Sequence, residues 1–373
     1  MEIMFLTFLF LSVYSYVIYP VVLYILSRVA GDLWTQEDIR PTVSIIISAY
    51  NEESVIEEKI QNTLALDYSK ELLEIIVSSD GSTDRTNEIV SGIEDSRLVL
   101  RAFSERSGKT ACLNRIVPEA KGDIILFTDA NSMFPSDLLF KVVRNFARPY
   151  VGLVTGWTKY RTLEGGDETP GIYSKFETWT KYWESLISSC VGADGAIFAI
   201  RKLLYRPLED YDINDFVMPL HVIKQGKRVV MDPEVFCFEK PSKGAEKEYR
   251  RQVRITTRTL GAIRHNMEFI NPLRFRSFSF FLISHKVMRF LVPFFLIGTF
   301  GINFFILKES FFYILTLSGQ ILFLAVGLIG IFGLYEGRLT GFIKFFLITT
   351  SAQLVGLFRM LFGVSDTMWT PQR

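Results

Sequence analysis

Asp129 and Asn131 flank Ala130 directly after the apolar run Ile124-Ile125-Leu126-Phe127, with Gly122 and Asp123 leading into it. Such a run reads as a strand buried on both faces that hands a carboxylate to its carboxyl end. In an alternating α/β chain that end opens onto the crevice where parallel sheets bind ligands. Two oxygen-bearing side chains there can converge on a hard cation, Mg²⁺ or Mn²⁺, or face a diphosphate. A strand closed by an ordinary Asx turn would look the same locally, so the other polar clusters decide.

Each of those clusters also follows an apolar run. Ala49-Tyr50-Asn51-Glu52-Glu53 follows Val43–Ser48, Ser79-Asp80-Gly81-Ser82-Thr83-Asp84 ends Leu73–Ser79, and Gly108-Lys109-Thr110 comes after Leu98–Phe103. A nucleotide-activated donor would need what they offer. Ala49, Tyr50 and Glu52 with Asp80 can form a slot for base and ribose, where a carboxylate accepts a base N–H and Tyr50 packs on a ring. Lys109, with Arg251 and Arg254 of a later basic segment, can reach phosphate oxygens. Cations at that point stabilise the charge of a departing diphosphate. An attacking hydroxyl needs a general base held away from the metal; Asp215 and Asp194 qualify, and Asp215, opening a helix after a polar turn, is preferred. Plainer roles compete: Asp80 and Asp84 can cap a helix, and Asp215 can serve a helix dipole. Gly108-Lys109-Thr110 is not a P-loop, because Phe103 stands where that motif needs glycine.

The elements that must position these groups alternate strand and helix four times between Pro41 and residue 128, which predicts a mostly parallel α/β sheet. Every cluster then lies at one sheet edge. Further on, 136–147 and 171–188 read as helices and 151–160 as a strand. Gly192–Ala196 is a tight turn before a short strand, a helix from Asp212 stops at Gly226, and Arg228–Met231 is the last strand.

The chain has 41 Lys and Arg against 40 Asp and Glu, a net of +1, so global charge names no partner and nucleic acid is not expected. Three scattered cysteines offer neither zinc spacing nor a disulfide framework, as in a reducing compartment. Residues 3–27 are almost wholly apolar and long enough to span a bilayer, without the flanks of a cleaved signal. Arg28 and Arg40 follow this anchor while only Glu2 precedes it, which predicts a cytoplasmic domain after it. Residues 240–290 hold 12 Lys and Arg against 3 Glu, with Arg250, Arg254 and Arg258 on one helix face. Apolar blocks at 287–307, 311–334 and 342–363 follow, with Arg359 awkward in the last. The expected division is an anchor over 1–30, an α/β domain over 40–240, basic interfacial helices over 241–286 and a transmembrane region over 287–363.

With those residues in hand, Pro41-Thr-Val-Ser-Ile-Ile-Ile-Ser-Ala-Tyr-Asn-Glu-Glu, Ser79-Asp-Gly-Ser-Thr-Asp, Gly108-Lys-Thr-Ala and Thr128-Asp-Ala-Asn-Ser resemble family 2 glycosyltransferases of the GT-A (Rossmann-like) fold. The likeness runs in order over roughly residues 40–260, and the flanking transmembrane helices resemble the branch of hyaluronan, chitin and cellulose synthases. It implies an inverting transferase using a nucleotide sugar, usually a UDP-sugar, and a divalent cation. Asp80 would contact the base, Asp129 the metal, and Asp215 would be the catalytic base. Three positions depart from the pattern: Asn131 replaces the second acid of the metal motif, Asn214 replaces an acid beside the base, and Ile255 stands where processive members carry tryptophan. The expectation is a multi-pass membrane enzyme adding one or a few sugars to a lipid-linked or saccharide acceptor, with membrane lipids as partners. A processive synthase that exports its polymer is the first alternative. A non-catalytic nucleotide-sugar-sensing transport protein is the second, disfavoured by the few ionisable groups in the spans.

Overall fold

The computed structural model describes residues 1–30, 34–160, 172–240, 244–335 and 337–364; Glu336 and residues 241–243 of the basic segment lie outside them. Seven strands form one sheet: β1 (Val43–Ala49), β2 (Leu73–Asp80), β3 (Leu98–Phe103), β4 (Ile124–Asp129), β5 (Val151–Tyr160), β6 (Ile197–Arg201) and β7 (Arg228–Glu239). Their order is β3-β2-β1-β4-β6-β5-β7. Only β6 runs against the others, pairing antiparallel with β4 and β5. The β-branched runs of β1 and β4 are buried along nearly their whole length, as strands covered on both faces must be. Gly122 lets the entry to β4 cross β1 closely, since a Cβ there would lie 2.3 Å from Ser44 N. Register then sets Ser48 beside Asp129 and Ala49 beside Ser79, bringing the polar ends together.

β7 is longer than Arg228–Met231. Asp232-Pro233-Glu234 reads as a break, but the strand takes it up as an irregularity: pairing with β5 shifts between Thr155↔Met231 and Trp157↔Phe236. A proline is tolerated at such a bulge because it owes no ladder hydrogen bond there. Gly156 on the facing strand makes the room, as a Cβ would lie 2.4 Å from Val235 O.

Among the described residues, four helices are long and apolar enough to cross a membrane: Glu2–Ala30, Ser277–Ile306, Phe311–Ile331 and Arg338–Leu361. The second starts ten residues before the expected 287, because its first turns carry on through a π-turn at Ile283–Val287. The anchor helix is also part of the α/β core. Its Tyr19 and Leu23 sit in the same buried cluster as Ile46, Phe127 and Phe198, and each such side chain contributes about 1.5–3 kcal/mol of burial. The anchor tyrosines face other helices, Tyr16 meeting Phe176 and Phe346, and Tyr24 meeting Trp183. The basic helix Ala245–His265 packs on Arg338–Leu361, with Gly356 against Thr256. Arg359 lies in the last turn of its helix, where a cation meets the negative end of the dipole.

Candidate active site

The carboxyl edge of β4 presents Asp129, whose Oδ1 accepts from Lys109 Nζ at 2.7 Å. Both side chains are mostly buried, at 13% exposed for Lys109 and 21% for Asp129. Lys109 opens the helix Lys109–Ile116, and the residue before it, Gly108, has φ +91°, which favours glycine. Asp80 holds that helix start: Oδ1 accepts from Ser107 N–H (2.7 Å) and Oδ2 from Gly108 N–H (2.8 Å). The Asp80 carboxylate thus ties the end of β2 to the loop that positions Lys109. Gly81, at φ +67°, allows the crossing, since a Cβ would lie 2.8 Å from Arg106 N. Asp84 accepts from Thr86 N–H (3.0 Å) and Oγ1 (2.6 Å), the local role open to it.

Tyr50 lies beneath the Arg106 guanidinium, 3.9 Å from its ring centre. Ala49 and Glu52 are buried beside it, at 2% and 1% exposed. The Glu52 N–H donates to Thr86 Oγ1, tying this loop to the next.

Two charged groups under Asp129 were not legible as site residues. Lys59 is fully buried; its ammonium donates to Thr128 Oγ1 (3.3 Å) and to Ser132 O, and lies 3.3 Å from the Phe134 ring centre. Burial pulls it down to about 7, against the support of Cys237, Asp129 and Glu239. Glu239, the last residue of β7, accepts from Ser132 Oγ at 2.5 Å. Burial, with the negative Asp129 and Asp194 nearby, pushes it up to about 7. Glu57-Glu58-Lys59 looks like a solvated helix face in the sequence, and Glu239 falls beyond the apparent end of its strand. The only signal was the alternation resuming at Val235, Cys237 and Glu239.

Asp215 lies in the first turn of the helix Asn214–Lys224. Its backbone carbonyl accepts from Ala193 N–H at 2.7 Å, and Gly195 leaves space for its carboxylate. Oδ1 is closed to solvent and has no hydrogen-bond partner among the described residues. Burial raises this carboxyl; Lys109, Lys181 and Arg258 oppose the rise and Asp194 adds to it. Asp194 is differently placed. Its carboxylate accepts from Thr158 N–H (3.0 Å), Thr158 Oγ1 (3.1 Å) and Ala196 N–H (3.0 Å), so it fixes the turn and has little capacity left for a proton from a ligand.

On the basic helix, Arg254 feels both Asp129 and Asp215, while burial, Arg258 and Arg251 lower it from the usual guanidinium value. Arg258 donates to Asp212 O at 2.6 Å. Arg251 hydrogen bonds Tyr160 and pairs with Glu248 at 3.3 Å. Arg250, expected on the same face, instead pairs with Glu246 on the exposed side. No three His, Cys, Asp or Glu residues among the described ones gather as a metal cage. The donors fit a Mg²⁺ or Mn²⁺ that takes few protein oxygens and completes its shell with phosphate and water: a carboxylate at Asp129 and an amide oxygen at Asn131.

The Glycosyl transferase family 2 model matches residues 44–205. A beta-monoglucosyldiacylglycerol synthase from Synechocystis sp. is 35% identical over 116 residues, 30% of this chain and 24% of that protein. A poly-beta-1,6-N-acetyl-D-glucosamine synthase from Staphylococcus aureus is 33% identical over 121 residues, 32% of this chain and 29% of that protein. The chain thus matches about a quarter of the length of these relatives. Among solved structures, the mannosyltransferase PcManGT from Pyrobaculum calidifontis, in complex with GDP-Man and Mn²⁺, superposes with a TM-score of 0.73 at 21% identity. That match covers 96% of this chain and 99% of PcManGT, a likeness of fold that includes the flanking helices. Residues 44–205 therefore match the glycosyl transferase family 2 model, and the sheet they contribute to has the GT-A fold.

Proposed function

We propose that this chain transfers a sugar, with inversion, from a nucleotide-sugar donor to a lipid-linked or saccharide acceptor at the bilayer surface. One observation carries the reading. Close to a single sheet edge, one carboxylate (Asp129) is paired with a cation, and a second (Asp215) is half-buried with one oxygen closed to solvent and unused among the described residues. The first suits a diphosphate and its metal; the second suits a proton from an attacking hydroxyl. The acceptor oxygen forms a bond to the anomeric carbon as the bond to the donor phosphate oxygen breaks. The hydroxyl proton goes to Asp215 and nucleoside diphosphate departs. Lys109 and Arg254 stabilise the negative charge that develops on the leaving group. Mg²⁺ or Mn²⁺, held by Asp129 with Asn131, would add Lewis-acid stabilisation of that diphosphate.

Lipid and polysaccharide acceptors both find support in the names of the relatives, a glucosyldiacylglycerol synthase and a poly-N-acetylglucosamine synthase. Four apolar helices among the described residues favour an acceptor delivered from the membrane, with the α/β domain on the cytoplasmic side. The test is release of nucleoside diphosphate from a panel of uridine and guanosine diphosphate sugars, with Mg²⁺ or Mn²⁺ and membrane lipids present. Turnover with one donor, lost in Asp129→Ala and Asp215→Asn, is the expected result. Silence across the panel together with no donor binding would remove the reading.

A further inference from the structure

The helix Ile172–Ile187 carries Glu177, Lys181 and Glu184 on one face, spaced four and three residues apart. The face is buried: Glu184 is 0% and Lys181 7% exposed. Charges taken out of water at this cost must be paired, and here their partners come from two directions.

From the membrane helices, Tyr19 OH donates to Glu184 Oε1 at 2.7 Å. His285 lies between the two acids, Nδ1 2.7 Å from Glu184 Oε1 and Nε2 3.1 Å from Glu177 Oε2. Each ring nitrogen of His285 thus faces a carboxyl oxygen, so the imidazole ties the two acids together. Lys286 and Arg289 complete the shell of Glu177 at 2.8 and 2.6 Å. His285 sits in the π-turn Ile283–Val287, which meets a second π-turn, Tyr14–Ile18 of the anchor helix, through Tyr14 OH and Ser284 Oγ at 2.9 Å. π-turns recur where helices serve a function beyond packing.

Toward the α/β domain, Glu184 Oε2 accepts from Val191 N–H at 2.9 Å, and Lys181 Nζ donates to Ala193 O at 3.3 Å. Ala193 N–H in turn donates to Asp215 O, and Gly195 faces the Asp215 carboxylate. Glu184 and Lys181 thus hold the 191–193 backbone at two points, Val191 N–H and Ala193 O, and Ala193 N–H holds the backbone of the residue assigned as base.

We propose that His285, Glu184 and Lys181 are positioning residues through which the membrane helices set the Asp215 carboxylate, so that the base is correctly placed only when those helices are packed. This rests on Asp215 acting as the base. Removal of the imidazole takes away the group that bridges Glu177 and Glu184, which loosens the 189–196 turn without touching Lys109 or Asp129.

The experiment compares full-length wild type, His285→Ala, Glu184→Gln and Tyr19→Phe in nanodiscs, by amide hydrogen exchange, nucleoside diphosphate binding and steady-state kinetics. In His285→Ala and Glu184→Gln, exchange at 189–196 accelerates about tenfold or more while β1 and β4 stay protected. The kcat falls about 10- to 100-fold with donor KM changed less than about twofold, as expected when a reacting group is misplaced and not lost. The acid limb of the kcat profile shifts in the same variants. Tyr19→Phe, which keeps His285, retains kcat within about threefold. Unchanged exchange at 189–196 in His285→Ala, or a loss of kcat matched by loss of nucleotide binding, overturns the proposal. Exchange is readable without turnover, so an inactive wild type would count against the transferase reading while the coupling is still decided.

Discussion

A methyl group added at Gly195 would lie 2.9 Å from Asp215 Oδ2. Residue 195 is glycine because the carboxylate occupies the space a side chain would need, and not because the backbone there demands a positive φ. Gly195→Ala is therefore expected to fold normally and to push the Asp215 carboxylate aside. A displacement of this kind lowers kcat by about 10- to 100-fold. Donor KM should hold, because Lys109 and Asp129 are untouched; a parallel collapse of donor affinity would argue against the assignment.

Lys109 and a metal compete for the same oxygen of Asp129, since the ammonium already sits 2.7 Å from Oδ1. Lys109→Met should consequently bind Mn²⁺ alone more tightly, by about tenfold, equivalent to roughly 1.4 kcal/mol. The same substitution should lower kcat/KM for the donor, because the phosphate loses a cation. Titration calorimetry with Mn²⁺ in the absence of donor separates the two effects. Weaker Mn²⁺ binding in the variant would mean that Lys109 does not occupy the metal position.

How far this site was legible in the sequence varied with how each residue is made to matter. Strands β1, β2 and β4 follow from apolar runs that only a doubly covered sheet can bury, and their polar ends follow from direction. The reversed β6 left no trace, because a five-residue strand after a tight turn reads the same either way. Lys59 and Glu239 were missed because burial of a charge is a tertiary outcome: nothing in Glu57-Glu58-Lys59 says which member faces inward. Glu177 and Glu184 were hidden for the same reason within a helix whose aromatic residues dominate its pattern. Tyr19 and Leu23 show the converse, since an apolar span long enough for a bilayer gives no sign that its second half packs on a soluble domain.

Glu239 gives a stability prediction with a defined sign. Its native pKa of about 7 lies above the ordinary value of 4.5. Between those values the native state holds a proton that the unfolded state has released, so the stability associated with Glu239 is present below pH 4.5 and is lost as pH rises through 7. Glu239→Gln keeps an acceptor for Ser132 and cannot ionise. Without metal, its unfolding midpoint should gain on wild type between pH 5 and pH 8, by an amount on the order of 3 kcal/mol. Scanning calorimetry in detergent at both pH values measures it; a constant offset would mean that Glu239 ionises normally.

The acid limb of turnover should belong to Asp215. Burial raises its carboxyl, with Lys109, Lys181 and Arg258 opposing and Asp194 adding to the rise. Because the base must be ionised to accept a proton, kcat should fall as pH drops through a value raised from the ordinary aspartate one. Asp194→Asn removes a negative neighbour while leaving an amide oxygen to accept from Thr158, so it should move the limb to lower pH. Lys181→Met removes a positive neighbour and should move it to higher pH. The opposite signs are the point of the pair, because general loosening of the site would shift both limbs the same way. Kinetics across pH 4 to 8 at saturating donor would read the two limbs directly, and a limb that ignores both substitutions would assign the base elsewhere.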